Sequence, residues 1–192
     1  MLRRLDREEM KEIFEKRMRA DFPPAELKPW KRIQEMLDEG VYFACGLFWE
    51  GKLLAYAFFV EAKEGQLLLD YYAVAAEARD RGIGSRCLEL MKKELKKQGG
   101  RILLIEVENP ATAKSGEEEL LRQKRISFYE RNGVRPTALR SRLFDVEYRI
   151  MYLPLEGERK QEDIRQAVDV VYHTMFPKEC FGRDVWFGEE NE

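Results

Sequence analysis

The sequence predicts an α/β (α+β) fold, and three features carry that expectation. Apolar residues recur with helical period near both ends and between them. Short runs of β-branched and aromatic residues alternate with those stretches, and glycine- or proline-bearing turns separate the elements. At 192 residues the chain suits one domain with a short terminal appendage, and 44% hydrophobic residues are enough for a core.

Over residues 6–20, Met10, Ile13, Phe14 and Met18 fall at spacings of three and four, the stripe of an amphipathic helix, and Phe22-Pro23-Pro24 stops it. A second helix over 30–37 turns Ile33, Met36 and Leu37 inward and ends at Gly40. Residues 41–49 and 53–60 read as strands joined by a hairpin turn at Glu50-Gly51-Lys52. The turn Lys63-Glu64-Gly65 leads into a strand over Gln66–Val74, and a short basic loop over 79–84 opens a helix striped by Cys87, Leu88, Leu90, Met91 and Leu95. After Gln98-Gly99-Gly100, residues 101–108 form a strand that puts Leu103, Ile105 and Val107 on one face and Ile102, Leu104, Glu106 and Glu108 on the other. A polar stretch over 110–119 precedes a helix carrying Ile126, Phe128 and Tyr129 and closed by Asn132-Gly133. Final strands fall within 139–155, and a helix over 162–176 leads to an aromatic tail with Phe181, Trp186 and Phe187. That tail must dock on its own domain or on another subunit, because exposed aromatics leave an apolar patch.

Charge and cysteine content narrow the function. Lys plus Arg number 34 against 36 for Asp plus Glu, a net charge of -2 that argues against a general nucleic-acid binder while leaving room for a local basic patch. Cys45, Cys87 and Cys180 form no CxxC pair and no metal site, which fits buried or inert thiols in a reducing compartment. The N-terminus lacks a signal peptide's continuous apolar stretch and the longest strongly apolar run is 53–60, so a cytoplasmic protein without membrane insertion is expected.

The informative stretch runs from Tyr72 to Ser85, where a strand passes through Arg79-Asp80-Arg81-Gly82-Ile83-Gly84 into a helix. A helix N-terminus presents unpaired N–H groups and a positive dipole end, and glycines let a phosphate approach without a Cβ in the way. Glycines at such a turn also serve a plain tight connection. No GxxxxGK[ST] is present, and GxGxxG fails at Cys87, so the P-loop and dinucleotide-fold readings drop.

The remaining pattern, Arg79-x-x-Gly82-x-Gly84, resembles the pyrophosphate-binding motif R/Q-x-x-G-x-G/A of the GNAT superfamily of acyl-CoA-dependent N-acetyltransferases. The order of elements and the helix ending Phe128-Tyr129-Glu130-Arg131-Asn132-Gly133 extend the likeness over residues 6–155. The long connection after Glu106-Val-Glu108-Asn109-Pro110 looks like a bacterial branch. The resemblance implies a GNAT fold: a central, mixed but mostly antiparallel sheet, splayed between the two strands of a cofactor cleft and flanked by helices. It makes 1–155 the acetyltransferase domain and 156–192 a helix and tail packed on it or on a partner subunit, as in a homodimer. Acetyl-CoA is the implied cofactor, its pantetheine arm along the main chain of Ala73 and Val74 and its pyrophosphate on the amides of Arg81, Gly82, Ile83, Gly84 and Ser85, with Arg79 or Arg81 pairing with phosphate oxygens.

The implied reaction is transfer of acetyl to a primary amine of a small molecule or peptide by direct attack. Tyr129 matches the tyrosine that many relatives place near the CoA sulfur as general acid; a core tyrosine would instead bond a backbone partner. Asp70 lies on the same strand face as Val74 and is a candidate to orient or deprotonate the acceptor, with Glu106 and Glu108 as alternatives on the neighbouring strand. Asn109 stands 20 residues before Tyr129, farther than in many relatives, so the usual asparagine role is not carried over. Catalytically silent acyl-CoA sensors share the fold, and the intact Tyr129 argues against that alternative. His173 and the acid run 117–119 read as structural features.

Overall fold

A computed structural model describes residues 1–189, so the last three residues of the predicted tail lie outside the described residues. Strands and flanking helices alternate as the α/β reading expects, in two compact units: residues 1–61 with 69–94, and residues 62–68 with 95 onward.

In the first unit, β1 (Leu2–Arg4), β2 (Tyr42–Trp49), β3 (Lys52–Glu61) and the end of β4 (Gln66–Val74) lie side by side in that order. The β2–β3 hairpin turns on Glu50 and Gly51 with φ of 48° and 76°, the left-handed pair that a tight hairpin needs and that glycine adopts without strain. β1 was too short to register as a periodic run. It pairs antiparallel with β2 from Leu2↔Leu47 to Arg4↔Cys45, and its arginines cover aromatic rings, Arg4 lying 4.2 Å over Phe43.

The helix expected over 6–20 is α1 (Arg7–Ile13), a π-helical turn at Phe14–Met18, and α2 (Arg19–Asp21). The apolar stripe fits an α-helix as well as this wider turn, so periodicity alone did not reveal it; Met10, Ile13, Phe14 and Met18 are all buried. α3 (Trp30–Asp38) buries Ile33 and Met36, and α4 (Ile83–Lys97) buries Cys87, Leu88 and Met91. Among the described residues the three cysteines are free thiols, and burial pushes Cys87 up to about 12.

In the second unit the strand order is β5 (Ile102–Glu108), β7 (Val146–Pro154), β6 (Arg135–Leu143), β8 (Val185–Glu189), each pair antiparallel. α5 (Gly116–Arg131) takes in the whole acid run: Ser115 caps it by accepting the Glu118 N–H at 3.2 Å, and Glu117 to Glu119 fill the first turn, where the helix dipole favours negative charge. α6 (Gln161–Met175) buries Ile164, Val168, Val171, Tyr172 and Met175. The aromatic tail contains a strand that the sequence did not announce. Five residues with a glycine give no clear alternation, yet β8 pairs with β6 from Leu143↔Val185 to Leu139↔Glu189, and Phe187 meets the Tyr172 ring edge-on at 5.4 Å. His173 stacks on Phe181 with ring centroids 4.2 Å apart.

Candidate active site

β4 delivers Ala73 and Val74, both half-buried, to the start of the basic loop. A 3₁₀ turn at Ala76–Ala78 follows, then Asp80 and Gly82 with φ of 59° and 74°. Gly82 accepts the first helical bond, from the Arg86 N–H at 3.0 Å, so the amides of Ile83, Gly84 and Ser85 open α4 with no acceptor inside the helix. The Tyr72 hydroxyl donates to the Gly84 carbonyl at 2.7 Å and ties this first turn to β4. A Cβ at Gly82 would meet nothing within 4 Å, and Arg81 and Ser85 are exposed. These residues fit a diphosphate: donors, a positive helix end, a free arginine head and open approach.

Arg79 is engaged differently from Arg81. Its Nε–H donates to the Val74 carbonyl at 3.0 Å and its Nη2 to Asp21 Oδ1 at 3.0 Å, while Asp21 Oδ2 accepts the Tyr56 hydroxyl at 2.8 Å.

Asp70 sits four residues before Val74, its side chain only 4% exposed. Both carboxylate oxygens are occupied: Oδ1 by Lys28 Nζ at 2.5 Å and Oδ2 by the Tyr42 hydroxyl. Next to it, the Tyr71 hydroxyl accepts the Lys28 N–H and donates to the Glu26 carbonyl, each at 2.8 Å. The proline-bounded segment before α3 is thus clipped to β4 through consecutive residues, one presenting a carboxylate and the other a phenol. Burial, then the charge of Asp70, pushes the Tyr42 phenol well above its ordinary range, so it remains a donor.

In the second unit Glu106 accepts from the Tyr172 hydroxyl of α6 and from the Ser141 hydroxyl of β6 at 3.3 Å. Glu108, at the end of β5, is buried and faces two guanidiniums: Arg125 bonds it directly, and Arg122 Nε lies 3.8 Å away. Arg122 also donates to the Asn109 carbonyl at 2.7 Å and to Glu118 at 2.6 Å, fastening the long connection to the end of β5. Tyr129 follows Arg125 by one turn of α5. It is half-buried, with its ring edge-on to Phe128 at 5.3 Å, and no described residue hydrogen-bonds its hydroxyl. Burial raises its phenol above the ordinary value and Arg125 opposes that rise.

Within the first unit the expected cofactor residues Ala73, Val74, Arg79, Arg81, Gly82, Ile83, Gly84 and Ser85 occupy one strand end, loop and helix start, with Asp70 farther back on the strand. Glu106 and Tyr129 belong to the second unit, on β5 and α5. Sequence reasoning missed Asp21, Lys28, Tyr42, Tyr56 and Tyr72. Each reaches its partner across 12 to 58 positions of chain, Tyr56 by way of Asp21, and no local spacing signals such a partner.

A strand running into a helix start with open amides and an exposed arginine offers a place where a nucleotide cofactor's diphosphate fits, and among the described residues the Tyr129 hydroxyl has no partner. The family model described as the acetyltransferase (GNAT) family matches residues 7–133, and the chain is a member of that family. Its cofactor is acetyl-CoA. Among solved structures the chain resembles the ribosomal-protein-S18-alanine N-acetyltransferase of Escherichia coli at 22% identity, covering 83% of this chain and 96% of that one with a TM-score of 0.61. A GNAT-family protein of Bacteroides thetaiotaomicron aligns at 20% identity over 91% of this chain and 96% of its own, with a TM-score of 0.70. An aminoglycoside 6'-N-acetyltransferase solved with coenzyme A aligns at 16% identity over 83% and 99%, with a TM-score of 0.61. These likenesses bear on the fold. No curated protein sequence matches the chain. Among the described residues no helix is long and apolar enough to cross a membrane.

Proposed function

We propose that the chain transfers the acetyl group of acetyl-CoA to a primary amine of a small molecule or peptide by direct attack. The observation that carries this reading is the start of α4, where amides without acceptors, an unobstructed Gly82 and an exposed Arg81 converge. Bound acetyl-CoA supplies an activated thioester. The amides of 81–85 hold the diphosphate and the Ala73–Val74 main chain orients the arm, which converts a bimolecular encounter into a positioned one. As the C–N bond forms and the C–S bond breaks, Tyr129 Oη would give its proton to the departing thiolate, and the proton lost by the amine would pass to a carboxylate directly or through water. Of the three predicted carboxylates, Asp70 suits the acceptor best: its ionic partner is an ammonium, the group that an incoming amine exchanges like for like, whereas Glu106 accepts two core hydroxyls and Glu108 is paired with the guanidinium of Arg125. A main-chain N–H near Val74 meets the developing oxyanion.

Calorimetric titration with CoA, paired with a thiol-release screen over amines, tests the reading. The screen includes alanine-terminated peptides and aminoglycosides, the acceptors named for two of the structural neighbours. Gly84→Asp is the control variant. An aspartate in the first turn interacts favourably with the helix dipole, circular dichroism checks that the variant is folded, and a carboxylate against the diphosphate is repulsive by several kcal/mol. The expected result is CoA binding by the wild type, weakened at least a hundredfold in Gly84→Asp. Equal affinity in the folded variant would remove the site, and wild-type CoA binding without thiol release to any amine would remove the transfer activity.

A further inference from the structure

We propose that Asp21 and Arg79 form a latch that sets the diphosphate-binding turn, so that a carboxylate beside an anion site strengthens anion binding. This rests on the reading that the amides of 81–85 hold the cofactor diphosphate. The Arg79 side chain spans two acceptors at once, the Val74 carbonyl through Nε and Asp21 Oδ1 through Nη2, both at 3.0 Å. A planar guanidinium does this with little loss of freedom, whereas an ammonium on a flexible stem does not. Asp21 is itself fixed, because its second oxygen accepts the Tyr56 hydroxyl and Tyr56 is 1% exposed.

The chain enclosed by the latch explains its purpose. Between Val74 and Arg79 the backbone makes a 3₁₀ turn, and directly after Arg79 come two residues of positive φ, Asp80 and Gly82. A left-handed aspartate is a strained conformation that persists only where its surroundings hold it. The holding is done from both sides: Arg79 fastens the start of the turn to β4, and the Tyr72 hydroxyl fastens its end at the Gly84 carbonyl. Arg79 is therefore a positioning residue, and direct charge on the phosphate falls to Arg81. Asp21 ends α2, so the latch joins the cofactor turn to the first helices of the same unit.

The sign of one substitution separates this from simple electrostatics. If Asp21 acted only as a negative charge near a polyanion, or if Arg79 paired with phosphate and Asp21 competed for it, removing the carboxylate would tighten CoA binding. The latch requires the reverse. Calorimetry on the full chain, at a temperature where circular dichroism shows every variant folded, is expected to give CoA binding roughly tenfold weaker in Asp21→Ala and in Arg79→Ala, and no weaker in the double variant than in either one. Asp21→Asn keeps an oxygen for Arg79 and presents its NH2 to the Tyr56 hydroxyl, which can accept, so it should fold where alanine does not, and it is expected to weaken binding severalfold. Unchanged or tighter binding in Asp21→Asn or Asp21→Ala, or additive losses in the double variant, overturns the latch. If the wild type binds CoA and Gly84→Asp does not, such a result removes the latch and leaves the cofactor site standing; if the wild type does not bind CoA, both fall.

Discussion

Two phenols of the second unit, Tyr129 on α5 and Tyr172 on α6, differ in burial and in what their hydroxyls touch. Tyr172 is 1% exposed and donates to Glu106, so its polar atom is satisfied inside the core. Tyr129 is half-buried and, among the described residues, its hydroxyl has no partner. Among the described residues the Tyr129 hydroxyl is not one of the buried unpaired side-chain atoms, so it keeps access to water and its hydrogen bond is open to a ligand. The difference teaches that a core phenol spends its hydroxyl on the fold, whereas a phenol without a protein partner still has a hydrogen bond to offer a ligand.

Phenylalanine at each position breaks or sharpens the comparison, and the largest effect is expected at Tyr129. Loss of a general acid commonly slows the chemical step 10² to 10⁴-fold, about 2.7–5.4 kcal/mol of barrier, while CoA affinity and melting temperature stay close to wild type because no protein hydrogen bond is removed. The pH profile carries the sign. Burial raises the Tyr129 phenol above its ordinary value near 10, so the protonated acid persists through the neutral range and is lost only as pH climbs through the raised value. A rate falling on the alkaline side above about pH 10 is expected for wild type and should vanish in Tyr129→Phe. Unchanged single-turnover rates in the variant would make Tyr129 a packing residue.

Tyr172→Phe should do the opposite. The ring contacts with Phe176 and Phe187 remain, but Glu106 loses a donor inside the core, at a cost to folding stability of about 1–3 kcal/mol in urea unfolding. Turnover per folded molecule should hold. A fall in rate with no loss of stability would show that Glu106 and Tyr172 belong to the chemistry after all.

Much of this was legible in the sequence because periodicity and turn chemistry are local. The strand Gln66–Val74, the hairpin at Glu50 and Gly51 and the start of α4 all lie within one or two residues of where spacing puts them. The motif Arg79-x-x-Gly82-x-Gly84 also pointed to the family that the family model matches, since such a motif is written in nearly consecutive residues. The partners were not legible. That Asp70 has both oxygens occupied depends on Lys28 and Tyr42, and that Arg79 reaches Asp21 depends on a contact 58 positions away. Helical and strand periods say which face is inward but not which polar group on that face will be met. The short strands β1 and β8 escaped for a related reason: three and five residues carry too little alternation, and their pairing is decided by the neighbour they reach.

The smallest effect concerns a polar group as fully bonded as Glu106 but placed in water. Glu9 accepts both Nη groups of Arg3, at 2.8 and 2.6 Å, and the Asp6 N–H at 3.0 Å, closing a capping box whose other half is Asp6 accepting the Glu9 N–H. The Arg3 guanidinium, followed by the Asp6 amide, holds its carboxyl down to about 2. Its folded value lies below its unfolded one, so the associated stability is fully present above about pH 4.5 and is lost as pH falls toward 2. The pair is about a third exposed on both sides, so screening reduces its worth to that of a surface ion pair with good geometry, about 0.2–1 kcal/mol. Glu9→Gln keeps an oxygen for the Asp6 N–H and removes the charge. Its unfolding free energy should sit slightly below wild type at pH 7 and converge with it as pH approaches 2, with 0.5 M salt narrowing the gap. A gap that persisted at pH 2, or one as large as that of Tyr172→Phe, would mean that the bonds themselves, rather than their removal from water, set the value of a satisfied polar group.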